Sequence, residues 1–517
     1  MEIVHGKYQQ KSLSQVASGQ FKHPARVELQ IPAKKVLSVT SACFINGVDR
    51  TESDIRVSGK TTTRVVFIDE HDGFNSEEHH DTWTERLALP RDARSTDGVV
   101  MPAVHILETT IGKNGKNGKT EQGYITAVHA EHVINISVLG LAGQDVDFVQ
   151  DLRGNVETKR DKMRLSTFGG VINERFEISE SFTLDANVEG ILGVDLNAAV
   201  RDIICNDGRI SIKGTVCAGI STVKTGDGGS EINNAFHEWD FTKTITNKEI
   251  GTDDAVCGSL AVCNLTMKVE SRDKPELVID AELLFTGHTT ATHEIEVVQD
   301  AFSYDNHLNM MHADVLDASV TPQSNVMVDV EGNVSMPEGS SYIGKVLWAG
   351  TPTVGGINAV AGNGKVTVEG VLTAHLVYEC DEKNVFSHVA QVPFSTSCKV
   401  EDCTKDHDVS VAVAAMSCNI KARRGKELLV DARLALNVSA NSATLVKITS
   451  SVKLGDPKAR DESAITIHIA GQSETLWDIA KRTSIPTAEI VKQNPTLEHG
   501  INEGERIVLY RQEVVSF

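Results

Sequence analysis

Along most of this chain apolar and polar residues alternate one for one. In "LLVDARLAL" at 428–436, Leu428, Val430, Ala432, Leu434 and Leu436 share one face, and Leu429, Asp431, Arg433 and Ala435 share the other. Successive side chains of a strand point to opposite sides, so this pattern predicts a sheet with one buried face. "LVIDAELLF" at 277–285 is a close relative, and "GYITAVHAEHVINISVL" at 123–139 a looser one. The period changes in "ETLWDIAKRTSIPTAEIVKQNP" at 474–495. There Thr475 and Asp478 predict a capping box for a helix whose buried stripe is Leu476, Ile479 and Ala480. Pro486 stands near the start of a second helix, where a missing N–H costs little. Ile490 and Val491 face inward, and Asn494-Pro495 ends that helix. Ile465, Ile467 and Ile469 alternate as a strand ahead of the helices, and "NEGERIVLY" supplies a turn and a closing strand. The predicted order is β-α-α-β.

The β-rich body is a repeat. "DIRVSGKTTTRVVFIDE", "GRISIKGTVCAGISTVK" and "GKVTVEGVLTAHLVYEC" each place an alternating strand before a glycine and continue with a second β-prone run. The glycines are Gly59, Gly214 and Gly370, separated by 155 and 156 residues. A glycine inside a strand predicts a bulge or a close backbone approach. "KVLSV" at 35–39, "GILGV" at 190–194 and "KVLWA" at 345–349 keep the same phase, as do Trp83 and Trp239; "SHVAQVPFS" in the third copy lacks the tryptophan. The predicted fold is mainly β: three tandem β-sandwich-like units at 1–160 (divergent), 161–315 and 316–455, a linker at 456–463, and the small βααβ unit at 464–511.

Composition narrows the function classes. Fifty basic against 71 acidic residues give a net charge of −21, a field that repels nucleic acid and anionic lipid. No run of 18 apolar residues predicts a membrane span, and "MEIVHGKYQQKSLSQVASGQ" has no apolar stretch of the kind a secretory signal needs. Nine scattered cysteines fit buried thiols in a cytosolic compartment better than a disulfide framework.

The tail resembles a LysM domain. "TLWDIAKR", Ile485, Ile490, Val491, the Asn494-Pro495 pair and "NEGERIVL" carry the resemblance. It implies a shallow groove for N-acetylglucosamine polymers formed by Ser473, Glu474, Thr475 and Leu476 with Asn494, Pro495, Thr496 and Leu497. Where the family carries Gly-Asp, this chain has Ser473-Glu474. The alternative for Leu476, Trp477 and Asn494 is scaffolding, as a small core and a helix cap. "RFEISESFTLDANVEGILGV" at 175–194 and "VMVDVEGNVSMPEGSSYIGKVLWA" at 326–349 resemble the SPOCS-domain sporulation proteins. That resemblance implies an adaptor in the mother-cell cytoplasm that docks at the forespore surface on a basement-layer morphogenetic protein of the spore coat, the LysM domain serving as a protein-binding module.

Catalytic and cofactor signals are weak. "GKNGKNGKT" at 112–120 has five residues between Gly112 and Gly118, one more than a phosphate-binding loop takes, and its Asn-Gly pairs predict a hairpin tip. Cys398, Cys403, His407 and Cys418 lack the tight spacing of common zinc sites. "EEHHD" at 77–81 reads as a solvated turn after a strand. His129 and His132, three apart on a strand, would face opposite sides. No nucleophile stands with a base. The sequence therefore predicts a non-catalytic scaffold with no metal or cofactor. The alternative is a wall protein that binds N-acetylglucosamine glycan through the LysM groove.

Overall fold

The computed structural model describes residues 1–89, 96–111, 123–185, 187–226, 229–248, 250–251, 254–270, 275–423, 425–459 and 465–510. The chain is mainly β, with antiparallel sheets and two short helices. Among the described residues no helix is long and apolar enough to cross a membrane.

One strand path recurs three times. In the first unit β1 (Glu2–Arg50) pairs through its first half with β5 (Ile125–Arg153) and through its second half with β2 (Asp54–Asp69). β3 (Phe74–Ala88) and β4 (Thr96–Ile111) form the edges. In the second unit the long first strand is split into β6 (Val156–Thr183) and β7 (Val188–Asn206). One sheet is then β10-β11-β6 and the other β7-β8-β9, with β8 Arg209–Gly226, β9 Gly229–Thr246, β10 Ala255–Glu270 and β11 Glu276–Ser303. The third unit splits further. β12 (Asn306–Val320) and β13 (Ser324–Ser335) follow one another along β19 (Glu427–Pro457), which β18 (Asp408–Arg423) flanks. β14 (Ile343–Ala349) and β15 (Thr353–Gly362) do the same along β16 (Lys365–Cys380), flanked by β17 (Val385–Lys399).

The alternating pattern explains why the two sheets of a unit close on each other. Leu428, Val430, Ala432, Leu434 and Leu436 are all buried and meet Val366, Val368, Leu372 and Leu376 of the facing sheet. In the second unit Leu277, Ile279, Leu283 and Phe285 meet Ile210, Ile212 and Val216. Each such aliphatic side chain contributes about 1.5–3 kcal/mol. Ala435, on the opposite face, is also buried, because the second unit covers it with Ala199 and Cys217, beside Met416 of its own unit.

The repeat glycines serve one purpose in all three units. Gly59 lies opposite Trp83, Gly214 opposite Phe241 and Gly370 opposite Phe394. A Cβ at these glycines would stand 2.1, 2.5 and 2.8 Å from the respective rings, so each aromatic ring lies over bare backbone. The strand on the other side of each glycine carries an irregularity, at Ile45/Gly47, Val200/Asp202 and Gly355/Asn358. Trp239 is thus not the counterpart of Trp83: it pairs with Val216, and Phe241 takes the equivalent place. "EEHHD" also differs from its expected place. It lies within the edge strand β3, where His80 bonds Thr62, His79 bonds Asp81 and Glu78 accepts from Arg64.

First and last strands of each unit outrun their sandwich as a two-stranded ribbon, and the three ribbons pack on one another. Tyr8 and Phe148, Leu165 and Val297, Val315 and Ile448 form one shared layer. Val149 and Leu152, Val298 and Ala301, and Val452 form the next. A ring of hydrogen bonds passes round the bundle. The Lys11 N–H donates to Thr167 Oγ1 at 2.7 Å, Ser166 N–H to Asp317 Oδ1 at 2.7 Å, and Leu316 N–H to Gln10 Oε1 at 2.8 Å. A lone two-stranded ribbon is marginal in water, and three together make a core. The chain turns from one ribbon into the next at 154–155 and 304–305, so residues 160/161 and 315/316 lie inside β6 and β12. Among the described residues every strand pairing stays within one unit.

The last unit consists of β20 (Ile465–Ile469), α1 (Leu476–Thr483), α2 (Thr487–Gln493), a 3-10 turn at Pro495–His499 and β21 (Arg506–Tyr510). Thr475 and Asp478 form the capping box, and Ile479, Ala480, Ile485, Ile490, Ile507 and Leu509 make the core.

Candidate functional site

The predicted groove residues fall in two loops anchored to Glu505. Its carbonyl accepts from the Ala470 N–H at 2.9 Å, and its carboxylate from Asn502 N–H at 2.9 Å and Thr496 Oγ1 at 3.4 Å. In the first loop Ser473 is exposed and left-handed, with φ 59°. Glu474 accepts from Gly471 N–H at 2.9 Å and from the His468 ring at 2.8 Å, and pairs with Arg482. The Gly471 N–H, followed by the His468 ring, lowers its carboxyl pKa below the usual range. The Thr475 hydroxyl is taken up by the cap, and Leu476 packs on the module's core.

In the second loop Asn494 and Gln493 act as a substitute strand. The Asn494 amide donates to Val508 O at 2.7 Å and accepts from Val508 N–H at 2.9 Å; Gln493 donates to Tyr510 O at 2.9 Å and accepts from Tyr510 N–H at 2.8 Å. Pro495 and Thr496 are exposed, and Leu497 is buried. The loops therefore leave Ser473, Pro495 and Thr496 exposed, while Glu474, Asn494 and Leu497 hold the module together.

Trp477 points elsewhere, to the tip of the ribbon bundle. Its indole N–H donates to Asp300 Oδ2 at 2.8 Å, and its ring meets Phe302 edge-on at 5.2 Å between centroids. Lys481 Nζ bonds both Asp300 oxygens, at 2.7 and 2.8 Å. Glu157 accepts from the Thr487 N–H and hydroxyl at the start of α2. Lys458 joins Ser303 O at 2.8 Å to Ser484 Oγ at 2.7 Å. Burial opposes the Asp300 charge, but Lys481 and Trp477 outweigh it and lower the pKa. Trp477 and Lys481 lie more than 170 positions from Asp300, and no local pattern in the sequence marks this mounting.

Arg64 fixes the first unit to the second. Its guanidinium is almost wholly buried and donates to Glu78 at 2.7 Å, Asp195 at 2.7 Å and Val194 O at 2.8 Å. Gly193, within "GILGV", leaves room for it: a Cβ there would stand 2.4 Å from Cζ. Burial acts to lower the pKa of this group, and Asp195 and Glu78 more than compensate. A cleft of about 350 Å3 between the second and third units is lined by Arg201, Trp239, Asp240 and Arg433. Its arginines are already paired, Arg201 with Asp240 at 2.8 Å and Arg433 with Asp329 at 3.1 Å.

The remaining sequence candidates are structural where described. Cys398, Cys403 and Cys418 lie buried in the third unit's core, and His407 Nδ1 bonds Thr404. Burial pushes the Cys418 thiol up to about 12. Among the described residues no three His, Cys, Asp or Glu side chains are grouped to hold a metal. His132 is buried against Thr63 at 2.9 Å, while His129 stays half-exposed on the other face of β5. "GKNGKNGKT" lies outside the described residues.

A search of the curated proteins and of the solved structures found no match to the chain. Residues 343–422, running from the first residue of β14 almost to the end of β18, match the family model described as SipL, SPOCS domain. In its third unit, the chain is similar to the SPOCS domain family.

Proposed function

We propose that this chain is a non-catalytic scaffold of spore formation. It would link coat or envelope proteins at the forespore surface from the mother-cell cytoplasm, with the βααβ unit, read as a LysM domain, docking it on a basement-layer morphogenetic protein. The SPOCS match supports the sporulation context. The observation that carries the reading is the state of the predicted groove. Glu474 is consumed by Gly471, His468 and Arg482, Asn494 by β21, and Trp477 is turned to the ribbons. What is left open suits a protein surface better than a sugar cleft. Three like units also favour repeated binding faces over one active site.

The second reading, N-acetylglucosamine binding in the manner of LysM domains, rests on the exposed Ser473, Pro495 and Thr496. Calorimetric titration of N-acetylglucosamine oligomers and solubilised peptidoglycan into the full chain separates the two. The scaffold reading predicts a flat trace; saturable heat, lost in Thr496→Ala, would establish the glycan reading. Release of reducing ends would mark an enzyme and overturn both.

A further inference from the structure

β20 is an open sheet edge with an apolar face. Gln493 and Asn494 occupy the outer backbone groups of Val508 and Tyr510, so β21 turns Ile507 and Leu509 toward β20. Their partners there are His468 and Thr466. The alternation of an antiparallel ladder then directs the N–H and C=O of Ile465, Ile467 and Ile469 away from β21. None of these groups has a partner among the described residues. The same three isoleucines are 58, 63 and 60% exposed. One edge of this two-stranded sheet is thus plugged by side-chain amides, and the other presents both unpaired backbone and bare hydrocarbon. Such an edge is a template for strand addition.

We propose that this edge pairs with the same edge of a second copy of the chain. The three outward residues are symmetric about Ile467. An antiparallel two-fold pairing sets Ile465 against Ile469 of the partner and Ile467 against its own equivalent, leaving no outward group unmatched. This is the self-complementarity an isologous contact requires. The strand carries no Asp, Glu, Lys or Arg, and His468 faces the other way onto Glu474 and Arg482, so the net charge of −21 is not focused at the contact. The helical side of the module sits on the ribbon tip through Trp477, Lys481 and Thr487, which leaves the three isoleucines of the sheet side exposed among the described residues. Five residues of edge bury far less than the roughly 800 Å2 per partner of a stable interface. The pairing is therefore weak in dilute solution and effective where many copies are held together. It deepens the scaffold reading and rests on it, by giving the docked molecules a lateral contact.

Sedimentation equilibrium of the full chain over a wide concentration range tests the proposal. The wild type dimerises with rising concentration. Ile467→Pro, which removes an N–H that β21 does not use, weakens the dimer by about tenfold or more while leaving the melting temperature of the chain in place. Ile467→Lys, which keeps the N–H, weakens it through charge. A wild type that stays monomeric throughout, or an Ile467→Pro and Ile467→Lys pair that both dimerise as the wild type does, overturns the proposal. Dimerisation by a chain ending at Tyr510 but not by the full chain would assign the edge to residues 511–517 and also overturn it. A monomeric chain that still gathers at the forespore would end this inference and leave the scaffold reading standing.

Discussion

The indole N–H of Trp477 and the carboxylate of Asp300 meet at 2.8 Å, joining the first helix of the terminal module to the last strand of the second unit. The contact fixes the module on the point where the three ribbons converge. Because Lys481 shares the same carboxylate, the junction combines an ion pair, an aromatic edge contact and a directed hydrogen bond. Trp477→Ala removes two of these and should release the module at a cost of about 2 kcal/mol. Hydrogen exchange should then quicken in residues 298–304 and in α1, with the sandwich cores unchanged. Unaltered protection in both segments would show that Trp477 does not hold the module.

Acid should loosen the same junction. Burial raises the Asp300 pKa, yet Lys481 and Trp477 hold it below its ordinary 3.8. A carboxylate with a depressed pKa in the docked state stabilises that state above the ordinary value, and the stabilisation is lost as pH falls through 3.8 and below. Asp478 is lowered in the same sense, first by the Thr475 hydroxyl. Protection of α1 should therefore decline below pH 3.8, and Asp300→Asn should flatten that decline.

The repeat glycines should rank in their intolerance of a methyl group. At Gly59 an added Cβ meets the Trp83 ring at 2.1 Å and the Phe44 carbonyl at 2.6 Å, and backbone cannot step aside. At Gly214 it meets the Phe241 ring at 2.5 Å and the Ala199 carbonyl at 3.0 Å. At Gly370 the three nearest atoms belong to the side chains of Ile357 and Phe394, the closest at 2.8 Å. Overpacking of this kind costs about 1–3 kcal/mol. Thermal unfolding should show Gly59→Ala as the most damaging and Gly370→Ala as the mildest; the reverse order would contradict the ring-over-glycine account.

Arg64 should be hard to replace. Arg64→Met leaves the partly exposed Glu78 and Asp195 without their shared cation and should cost about 1.5–3 kcal/mol. Arg64→Lys should recover only part, because one ammonium cannot reach both carboxylates and the Val194 carbonyl with a planar fork. Arg64→Met together with Glu78→Gln and Asp195→Asn should recover more, as chemical denaturation would read.

Much of this architecture is legible in the chain because period-two alternation and the glycine spacing are local signals. Leu428 to Leu436 reads directly as a buried strand face, and Gly59, Gly214 and Gly370 mark equivalent strands. Alternation does not say which face is covered, nor by what. Ile465, Ile467 and Ile469 read as a strand correctly, but their side chains point outward, because the helices pack on the side of Thr466 and His468. Ala435 alternates as an exposed residue and is buried by a neighbouring unit. Trp83 and Trp239 share a spacing without sharing a place, since an aromatic residue over a glycine can be Trp or Phe. The predicted groove residues lie in the loops before α1 and after α2, yet the fate of Glu474, Asn494 and Trp477 depends on His468, β21 and Asp300, which only the fold brings to them.

The most direct test of the scaffold account is the position of a fluorescent fusion of the full chain in sporulating cells, beside a fusion lacking residues 464–517. The account predicts a ring of signal on the mother-cell side of the forespore that becomes diffuse when the module is removed. A full-length signal along the outer cell wall, or a forespore ring that persists without the module, would contradict it.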